Sequence, residues 1–270
     1  EPDDGEMMPT RALSLLLALS GALCVRVPTV RMLGPSERVA AVLLAGGSGK
    51  RMGATDSKGK PMPKQFLELD GKSVLQLSIE LLQRVEGLAK LVVVLAPEFR
   101  TLDFVAAAAD ADERIVFAPP GAERQNSVEN GLAMVDDSCT LVAVHDAARP
   151  LVTLDEIHRC LDDAAEHGAA VLAVPMKATV KESQDGEFVK RTLDRKTLWE
   201  IHTPQVVRPE ILREGFRQCN ENNLEVTDDV SVVEQIGKPV KITLGEYTNL
   251  KLTTPEDIVI AKEILKSRAA

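Results

Sequence analysis

The amino-acid sequence predicts an α/β fold, a Rossmann-like doubly wound sheet with a projecting β-hairpin arm. Stretches with apolar residues at helical spacing alternate with short, continuously apolar runs. Runs of this kind are typical of parallel strands covered on both faces. Polar motifs follow several of the runs, as expected of sheets that bind ligands at the carboxyl ends of their strands. The predicted strands cover residues 39–44, 90–96, 114–118, 140–144 and 169–174.

The helices between these strands are predicted from apolar spacing and from capping signals. Thr153 and Glu156 have the spacing of a capping box, and Gly168 is placed to end the helix that they begin. Thr254 and Pro255 begin the last helix, with acidic residues in its positive first turn. The other predicted helices cover residues 74–85, 99–109 and 127–134.

The composition limits the kinds of partner. A chain of 270 residues suits one domain of ordinary size. Its net charge of −9 and isoelectric point near 5.1 argue against nucleic-acid binding, which needs a basic face. The four cysteines are scattered, without a C-x-x-C pair or a histidine at metal-ligand spacing. We therefore expect free thiols in a reducing compartment.

Residues 1–38 differ from the rest of the chain and are predicted to be a targeting segment, removed or disordered in the mature protein. An apolar run at 12–25 follows Arg11, and Arg26 and Arg31 come after it. The run is too short to span a membrane comfortably and has the shape of a signal peptide. A core helix or an amphipathic tail is the alternative. We expect the body to cover residues 39–267, with no membrane association of the mature form.

The first predicted strand runs into a glycine-rich turn with many cations nearby. Bare backbone N–H groups in such a turn bind anions, and neighbouring cations clamp a phosphate. The sequence therefore predicts a pocket for a phosphorylated ligand. The turn comprises Ala45, Gly46, Gly47, Ser48 and Gly49, and the cations are Lys50, Arg51, Lys58, Lys60 and Lys64.

Two other glycine loops are excluded. A P-loop needs Ser or Thr after its Gly-Lys pair, whereas Arg51 follows here, and Leu44 occupies the position of the first glycine. In a dinucleotide fingerprint the third glycine would come one residue before Gly53 and would lead directly into a helix. Residues 54–63 instead hold two prolines and a glycine, which indicates a loop.

Two further motifs hold candidate site residues. Asp146 follows the predicted strand 140–144, and a carboxylate beside a phosphate loop suits Mg²⁺, although by itself Asp146 could equally cap a turn. His145 is expected to pack within the strand. Ser127 follows the turn at Gly121 and could contact a pyrimidine edge or simply begin a helix.

Residues 177–203 are predicted to form the arm. The segment from Lys177 to Arg195 is polar, and Val180 and Phe188 flank a turn centred on Asp185. A hairpin with two free edges invites pairing with other chains, so covering by a second subunit is expected.

The motifs L-A-G-G-S-G-K-R-M-G with P-K-Q, H-D-A-A-R-P and G-x-E-R-x-x-S-V resemble those of nucleotidyltransferases, specifically the 2-C-methyl-D-erythritol 4-phosphate cytidylyltransferase family. The resemblance covers about residues 39–267, with an insertion at 55–61. It implies transfer of CMP from CTP to a polyol phosphate with release of pyrophosphate, a divalent cation such as Mg²⁺, and a homodimer formed through the arms. For a eukaryotic member it implies the plastid, in the chloroplast stroma; cytoplasmic and secretory locations are the alternatives.

The resemblance also implies residue roles. Arg51 and Lys64 would stabilise the transition state, Asp146 would hold the metal, and Arg195 of a partner subunit and Lys251 would hold the acceptor phosphate. Thr179 and Asp228 would belong to the acceptor pocket, although Asp228 could instead cap a helix. Ala122 stands where some relatives carry an acid or another polar residue, so only a backbone contact to the nucleotide carries over there. Thr248 replaces an aspartate of some bacterial members, whose role does not carry over. The residues implied to bind the nucleotide are Ala45, Gly46, Gly47, Gly49, Gly121, Ser127 and Arg149.

Two other functions stay open at the level of sequence. A related cytidylyltransferase acting on ribitol 5-phosphate or another polyol phosphate would share the nucleotide site. A non-catalytic nucleotide-binding protein is the alternative of another class. The presence of Arg51, Lys64 and Asp146 together argues against the second, since mere binding does not need all three.

Overall fold

The structure, a computed structural model, describes residues 37–47, 63–224 and 226–269. Seven of its strands form one main sheet and four form two short hairpins. The strands are β1 (Val39–Leu44), β2 (Glu68–Leu69), β3 (Lys72–Ser73), β4 (Leu88–Val94), β5 (Ile115–Ala118), β6 (Leu141–Asp146), β7 (Ala169–Pro175), β8 (Lys181–Glu182), β9 (Arg191–Thr192), β10 (Trp199–Val207) and β11 (Lys241–Leu244). The helices are α1 (Val74–Leu82), α2 (Asp103–Ala111), α3 (Arg124–Leu132), α4 (Leu154–His167), α5 (Pro209–Asn222), α6 (Ser231–Gln235) and α7 (Pro255–Ala269).

The main sheet has the strand order β11-β7-β10-β6-β1-β4-β5. β1 lies parallel to β4 and β6, β4 parallel to β5, and β7 parallel to β11. All five predicted strands are confirmed. The structure adds β10, which is antiparallel to both β6 and β7 and separates them. Polar residues interrupt its sequence, WEIHTPQVV, so apolar periodicity does not reveal it.

Both faces of the main sheet are covered, which confirms the doubly wound arrangement. In β1, Val39, Ala41 and Leu43 pack in one core with α1, α2 and α4. Ala40 and Val42 pack in a second core with α3, α5 and α6. The alternation follows from the strand period of two, and it explains why this strand is apolar at every position.

The helix signals have mixed outcomes. The capping box of α4 is confirmed, because Thr153 Oγ1 accepts the Glu156 N–H at 3.2 Å and Glu156 Oε2 accepts the Thr153 N–H at 2.9 Å. Gly168 ends this helix with φ of 89°. The second helix begins only at Asp103, since a 3₁₀ turn occupies Pro97–Phe99. The third begins earlier than expected, at Arg124, with Glu123 as its N-cap residue.

The arm is a hairpin in which Lys181 pairs with Thr192 and Glu182 with Arg191. Its tip exposes Phe188 and Val189, by 74% and 62%. The predicted boundary at residue 203 needs correction. β10 begins at Trp199 and pairs with β7, so residues 199–203 belong to the main sheet and the arm ends before them.

In the described ranges no helix combines the length and the apolar character needed to cross a membrane.

Candidate active site

A cavity of about 400 Å³ lies at the carboxyl ends of β1 and β6. These two strands are parallel and Leu44 pairs with Asp146, so the glycine turn and the aspartate emerge at the same level of the sheet. This is the edge at which doubly wound sheets bind ligands. The cavity brings together eight predicted site residues: Ala45, Gly46, Gly47, Lys64, Gly121, Ser127, Asp146 and Lys251.

The start of the glycine turn is fixed by close packing. The Gln65 Nε2–H group donates to the Ala45 carbonyl at 2.6 Å. A Cβ atom on Gly46 would lie 2.6 Å from Cβ of Pro120, so only glycine fits there. A Cβ on Gly47 would meet no atom of the described residues within 4 Å. The remaining predicted members of this loop lie outside the described residues: Ser48, Gly49, Lys50, Arg51, Lys58 and Lys60.

The opposite wall is the turn that leads into α3. The Gly121 N–H donates to Ser127 Oγ at 3.0 Å, and the Ser127 hydroxyl donates to the Glu123 carbonyl at 3.1 Å. A Cβ on Gly121 would lie 2.3 Å from Cβ of Asn126 and 2.7 Å from its backbone carbon. The serine therefore shapes the turn while lining the cavity, and the glycine is required by the close approach of the helix backbone.

Asp146 lies at the centre of the charged groups. Its Oδ2 atom is 2.5 Å from Lys251 Nζ, and its Oδ1 atom is 3.3 Å from a terminal nitrogen of Arg124. Burial by itself would raise the pKa of Asp146, but the charges of Arg124 and Lys251 outweigh it and hold this pKa well below its ordinary value. The carboxylate is therefore ionised at any physiological pH.

Arg124 also binds Asp229, and neither residue was predicted from the sequence. Its Nη1 and Nη2 atoms lie 2.6 and 2.7 Å from the two oxygens of Asp229, a bidentate pair. Asp229 is only 1% exposed, and this burial raises its pKa against the opposing charge of Arg124. The available signals were the arginine of the motif G-x-E-R-x-x-S-V and the second acid in Thr227-Asp228-Asp229.

Two lysines reach the cavity from distant parts of the chain. Lys64 begins a 3₁₀ turn, Lys64–Phe66, and its ammonium donates to the Leu252 carbonyl at 3.0 Å. Lys251 is the residue before Leu252, and its ammonium forms an ion pair with Asp146. The two cations are therefore linked through one short segment, a suitable arrangement for holding phosphate groups.

A buried hydrogen-bond chain supports Asp146 from behind. The Asp146 N–H donates to Thr203 Oγ1 at 3.1 Å, which lies 3.0 Å from His145 Nδ1. His145 Nε2 lies 3.1 Å from the Arg149 carbonyl, which can only accept, so the neutral ring carries its proton on Nε2. Burial lowers the pKa of His145 to about 4. The prediction that His145 packs within its strand is confirmed.

Arg149 and Asp228 were expected to contact the ligands directly, but neither residue lines the cavity. The Arg149 guanidinium is buried and donates to the Asn249 carbonyl at 2.6 Å. Asp228 Oδ1 accepts the Ser231 N–H at 3.0 Å at the start of α6, and Oδ2 accepts from Gln205 at 3.1 Å. The geometry gives both residues supporting positions, because backbone groups of neighbouring segments and the Gln205 side chain bind their polar atoms.

Thr179 and Arg195 lie on the arm and do not line the cavity of this chain. Both are exposed, and Arg195 Nη1 donates to the Lys177 carbonyl at 3.0 Å. These two of the four residues predicted for the acceptor pocket are thus presented to solvent at the base of the arm.

The donor set fits a magnesium ion that completes its coordination with ligand phosphates. The described part of the chain holds no cluster of three or more His, Cys, Asp or Glu side chains that could bind a metal. Asp146 nevertheless presents one ionised carboxylate to the cavity. Mg²⁺ commonly binds through one or two carboxylates, substrate phosphates and several waters.

Comparisons with known proteins agree on one family. The model of the family described as 2-C-methyl-D-erythritol 4-phosphate cytidylyltransferase matches residues 39–267. A chloroplastic protein of that name from Oryza sativa subsp. japonica is 47% identical over 230 residues, covering 85% of this chain and 75% of the relative. A protein of the same name from Geobacillus kaustophilus is 40% identical over 231 residues, covering 85% and 98%.

Solved structures give the same result. The 4-diphosphocytidyl-2C-methyl-D-erythritol synthase from Anaerococcus prevotii superposes with a TM-score of 0.73 at 26% identity, covering 86% of this chain and 99% of that one. The 2-C-methyl-D-erythritol 4-phosphate cytidylyltransferase from Thermus thermophilus superposes with a TM-score of 0.69 at 29% identity, covering 85% and 99%.

Proposed function

The chain belongs to the 2-C-methyl-D-erythritol 4-phosphate cytidylyltransferase family, and we propose that the cavity between its glycine turn and Asp146 is the active site. The protein is a nucleotidyltransferase that transfers CMP from CTP to 2-C-methyl-D-erythritol 4-phosphate. The products are 4-diphosphocytidyl-2-C-methyl-D-erythritol and pyrophosphate, in non-mevalonate isoprenoid precursor synthesis. One observation carries the assignment of the site. Asp146, Lys64 and Lys251 converge on one cavity with Gly46 and Gly47.

The reaction needs positioned charges more than a general base. An oxygen of the acceptor phosphate attacks the α-phosphorus of CTP, and the bond from that phosphorus to pyrophosphate breaks. The acceptor oxygen is already ionised near neutral pH, so no side chain has to remove a proton. His145 fits this scheme, because it is fully buried and neutral. Negative charge accumulates on the α-phosphate oxygens, which fixed cations stabilise.

The residues have distinct tasks in this scheme. Lys64 and Arg51 stabilise the charge that develops on the α-phosphate, and Lys251 holds the acceptor phosphate. Their cationic groups also reduce the repulsion between two anionic substrates. Backbone groups of the two glycine-containing turns bind the nucleotide, with Ala45, Gly46, Gly47 and Gly49 in the first turn and Gly121 with Ser127 in the second.

Asp146 is the proposed ligand of Mg²⁺. The ion would neutralise and orient the triphosphate. Replacement of Asp146 by Asn should raise the concentration of Mg²⁺ needed for half-maximal turnover, because the neutral amide is a weaker ligand. Unchanged magnesium dependence of this variant would refute the assignment.

The acceptor site is proposed to be completed by a second copy of the chain. The exposed arm, with Phe188 and Val189 at its tip, supports a homodimer, because free hairpin edges and apolar tips favour pairing. Thr179 and Arg195 of one chain would then contact the acceptor phosphate bound in the other.

Mixing two inactive variants tests this arrangement. In a dimer of Arg195→Ala and Lys251→Ala chains, one of the two sites would contain both intact residues. A random mixture should therefore recover about a quarter of wild-type activity. If Arg195 served the site of its own chain, every site would lack one residue and no activity would return.

The function itself is tested by pyrophosphate release with CTP and Mg²⁺. Release is expected with 2-C-methyl-D-erythritol 4-phosphate and not with ribitol 5-phosphate. Release with ribitol 5-phosphate alone would retain the mechanism and change the acceptor. CTP binding without release on either acceptor would indicate a non-catalytic nucleotide-binding protein.

A plastid location is proposed for the mature protein. The support is the sequence of residues 1–38, which resembles a targeting segment, and the chloroplastic designation of the rice relative. A fluorescent protein fused after residue 38 should accumulate in plastids. Uniform cytoplasmic fluorescence or secretion would contradict the proposal.

A further inference from the structure

Glu156 is a fully buried acidic residue that lies outside the cavity. Its Oε2 atom accepts the N–H and the hydroxyl hydrogen of Thr153, at 2.9 and 3.0 Å, as part of the capping box of α4. Its Oε1 atom accepts the backbone N–H of Glu246 at 2.8 Å. One carboxylate thus joins the start of a helix to a loop that follows the edge strand β11.

The loop from Glu246 leads directly to Lys251. The Asn249 N–H donates to the Glu246 carbonyl at 3.1 Å and closes a turn. Asn249 is fully buried, and its Nδ2–H group donates to the Thr203 carbonyl at 2.9 Å. Arg149 donates to the Asn249 carbonyl at 2.6 Å. Lys251 follows two residues later, and its ammonium forms an ion pair with Asp146.

The far end of the segment is also fixed. The Leu252 N–H donates to the Ala148 carbonyl at 2.8 Å, and the Leu252 carbonyl accepts from Lys64 at 3.0 Å. The segment is therefore held at Glu246, Asn249 and Leu252, and between them the Tyr247 hydroxyl donates to the Pro175 carbonyl at 2.7 Å and Arg268 donates to Thr248 Oγ1 at 3.1 Å. The groups that hold Leu252, Ala148 and Lys64, line the cavity. The backbone N–H of Glu246, at the start of the segment, is bound by Glu156.

We infer that Glu156 is a positioning residue for the reaction, which sets the place of the Lys251 ammonium by anchoring the loop before it. The inference rests on the proposed role of Lys251 in holding the acceptor phosphate. Small displacements of groups that align reactants lower turnover strongly, even when the altered residue is far from the chemistry. Without the anchor, Lys251 would spend less time in its productive position while CTP would bind as before.

The competing role for Glu156 is stabilisation of α4 alone. The capping box stabilises α4 through the hydrogen bond that Thr153 Oγ1 accepts from the Glu156 N–H, and this bond involves no atom of the loop that begins at Glu246. The two roles predict different kinetics. Loss of helix capping lowers the melting temperature and leaves turnover per folded molecule unchanged, whereas loss of the anchor lowers turnover.

The experiment measures kcat and KM for both substrates in the full-length protein. Glu156→Met replaces the carboxylate by an apolar side chain of similar length and so removes both acceptor oxygens. It is expected to lower kcat by roughly 10-fold to 100-fold, with KM for CTP unchanged. Thr153→Ala is the matched control, which weakens the cap and keeps the bond to Glu246; it should melt earlier and turn over normally.

A second variant breaks the same bond from the other side. Glu246→Pro lacks the N–H that Glu156 accepts and leaves the capping box intact. It is expected to lower kcat as Glu156→Met does, whereas Glu246→Ala, which retains its N–H, is expected to behave as wild type. This pair keeps the inference testable if Glu156→Met does not fold.

A double-variant cycle decides whether Glu156 acts through Lys251. In a Lys251→Ala background, Glu156→Met should cause no further loss of turnover. A full additional loss, or an equal loss in Thr153→Ala, would overturn the inference. Normal turnover of the single variant Lys251→Ala would overturn the proposed role of that lysine and the inference with it. This outcome is distinguishable from failure of the inference alone, because it is observed with Glu156 unchanged.

Discussion

The ammonium of Lys251 lies 2.5 Å from Oδ2 of Asp146, at the end of a loop that reaches across the carboxyl edge of the sheet. The pair joins the proposed metal ligand to the proposed acceptor-phosphate ligand. On substrate binding, Lys251 can exchange the Asp146 carboxylate for a phosphate group, and Asp146 can exchange the Lys251 ammonium for a metal cation. The ion pair therefore keeps both charged side chains in the cavity before the substrates bind.

Replacement of Lys251 by Ala should lower turnover by about 10²–10³, because a charge that stabilises the transition state is lost. Steady-state kinetics with both substrates would measure the effect. Lys262→Ala, on the exposed surface of α7, is the matched control and should be indistinguishable from wild type. A loss confined to KM for CTP would contradict the acceptor role.

Replacement of Lys64 by Ala should lower kcat by about 10²–10³ and weaken CTP binding much less. The reason is that its charge is proposed to act on negative charge that develops only in the transition state. Single-turnover kinetics and equilibrium CTP titration would separate the two effects. Equal losses of binding and turnover would show that Lys64 binds ground state and transition state alike.

Replacement of Arg124 by Gln should lower the free energy of unfolding by about 3–5 kcal/mol, since it leaves the buried Asp229 carboxylate without its partner. Denaturant titration would measure this loss. Arg217→Gln is the control, because that arginine forms ion pairs with the surface residues Glu214 and Glu221. A similar loss in both variants would rule out a special contribution from the buried pair.

Replacement of Gly121 by Ala should lower both stability and CTP affinity. The added Cβ would overlap the backbone of α3, which cannot yield as a flexible side chain does. Melting temperature and CTP titration would report the two effects. In Gly47→Ala the added Cβ meets no atom of the described residues, so this variant should fold as wild type. Wild-type stability of Gly121→Ala would show that the turn can shift at no cost.

Acidification should destabilise the protein through His145. Its folded pKa of about 4 lies below its ordinary value of 6.5, so the unfolded chain binds more protons between these values. The stabilisation is fully present above the ordinary pKa and is lost as pH falls through the folded one. From about pH 7.5 to about pH 5 the loss should be on the order of 2 kcal/mol.

Denaturant titrations across this pH range would test the histidine contribution. His145→Gln does not titrate, so its stability should fall less steeply with acidification than that of the wild type. His167→Gln, on the exposed end of α4, should follow the wild-type curve. Parallel curves for wild type and His145→Gln would exclude His145 as the source of the acid sensitivity.

The sequence by itself determined the features that depend on local interactions. Continuous apolar runs identified the parallel strands, because a strand covered on both faces must be apolar at every position. The capping box of Thr153 and Glu156 was legible because its partners are three residues apart. The glycine turn and Asp146 could be placed at one edge because parallel strands align their carboxyl ends.

Only the tertiary structure decided how polar side chains from distant segments pair. Of two neighbouring acids, Asp229 pairs with Arg124, whereas Asp228 accepts the N–H of Ser231, the first residue of α6. The Arg149 guanidinium is likewise directed to the backbone carbonyls of two other segments, those of Asn249 and Ile201. Such pairings depend on distances between remote parts of the chain, and no local pattern in the sequence records those distances.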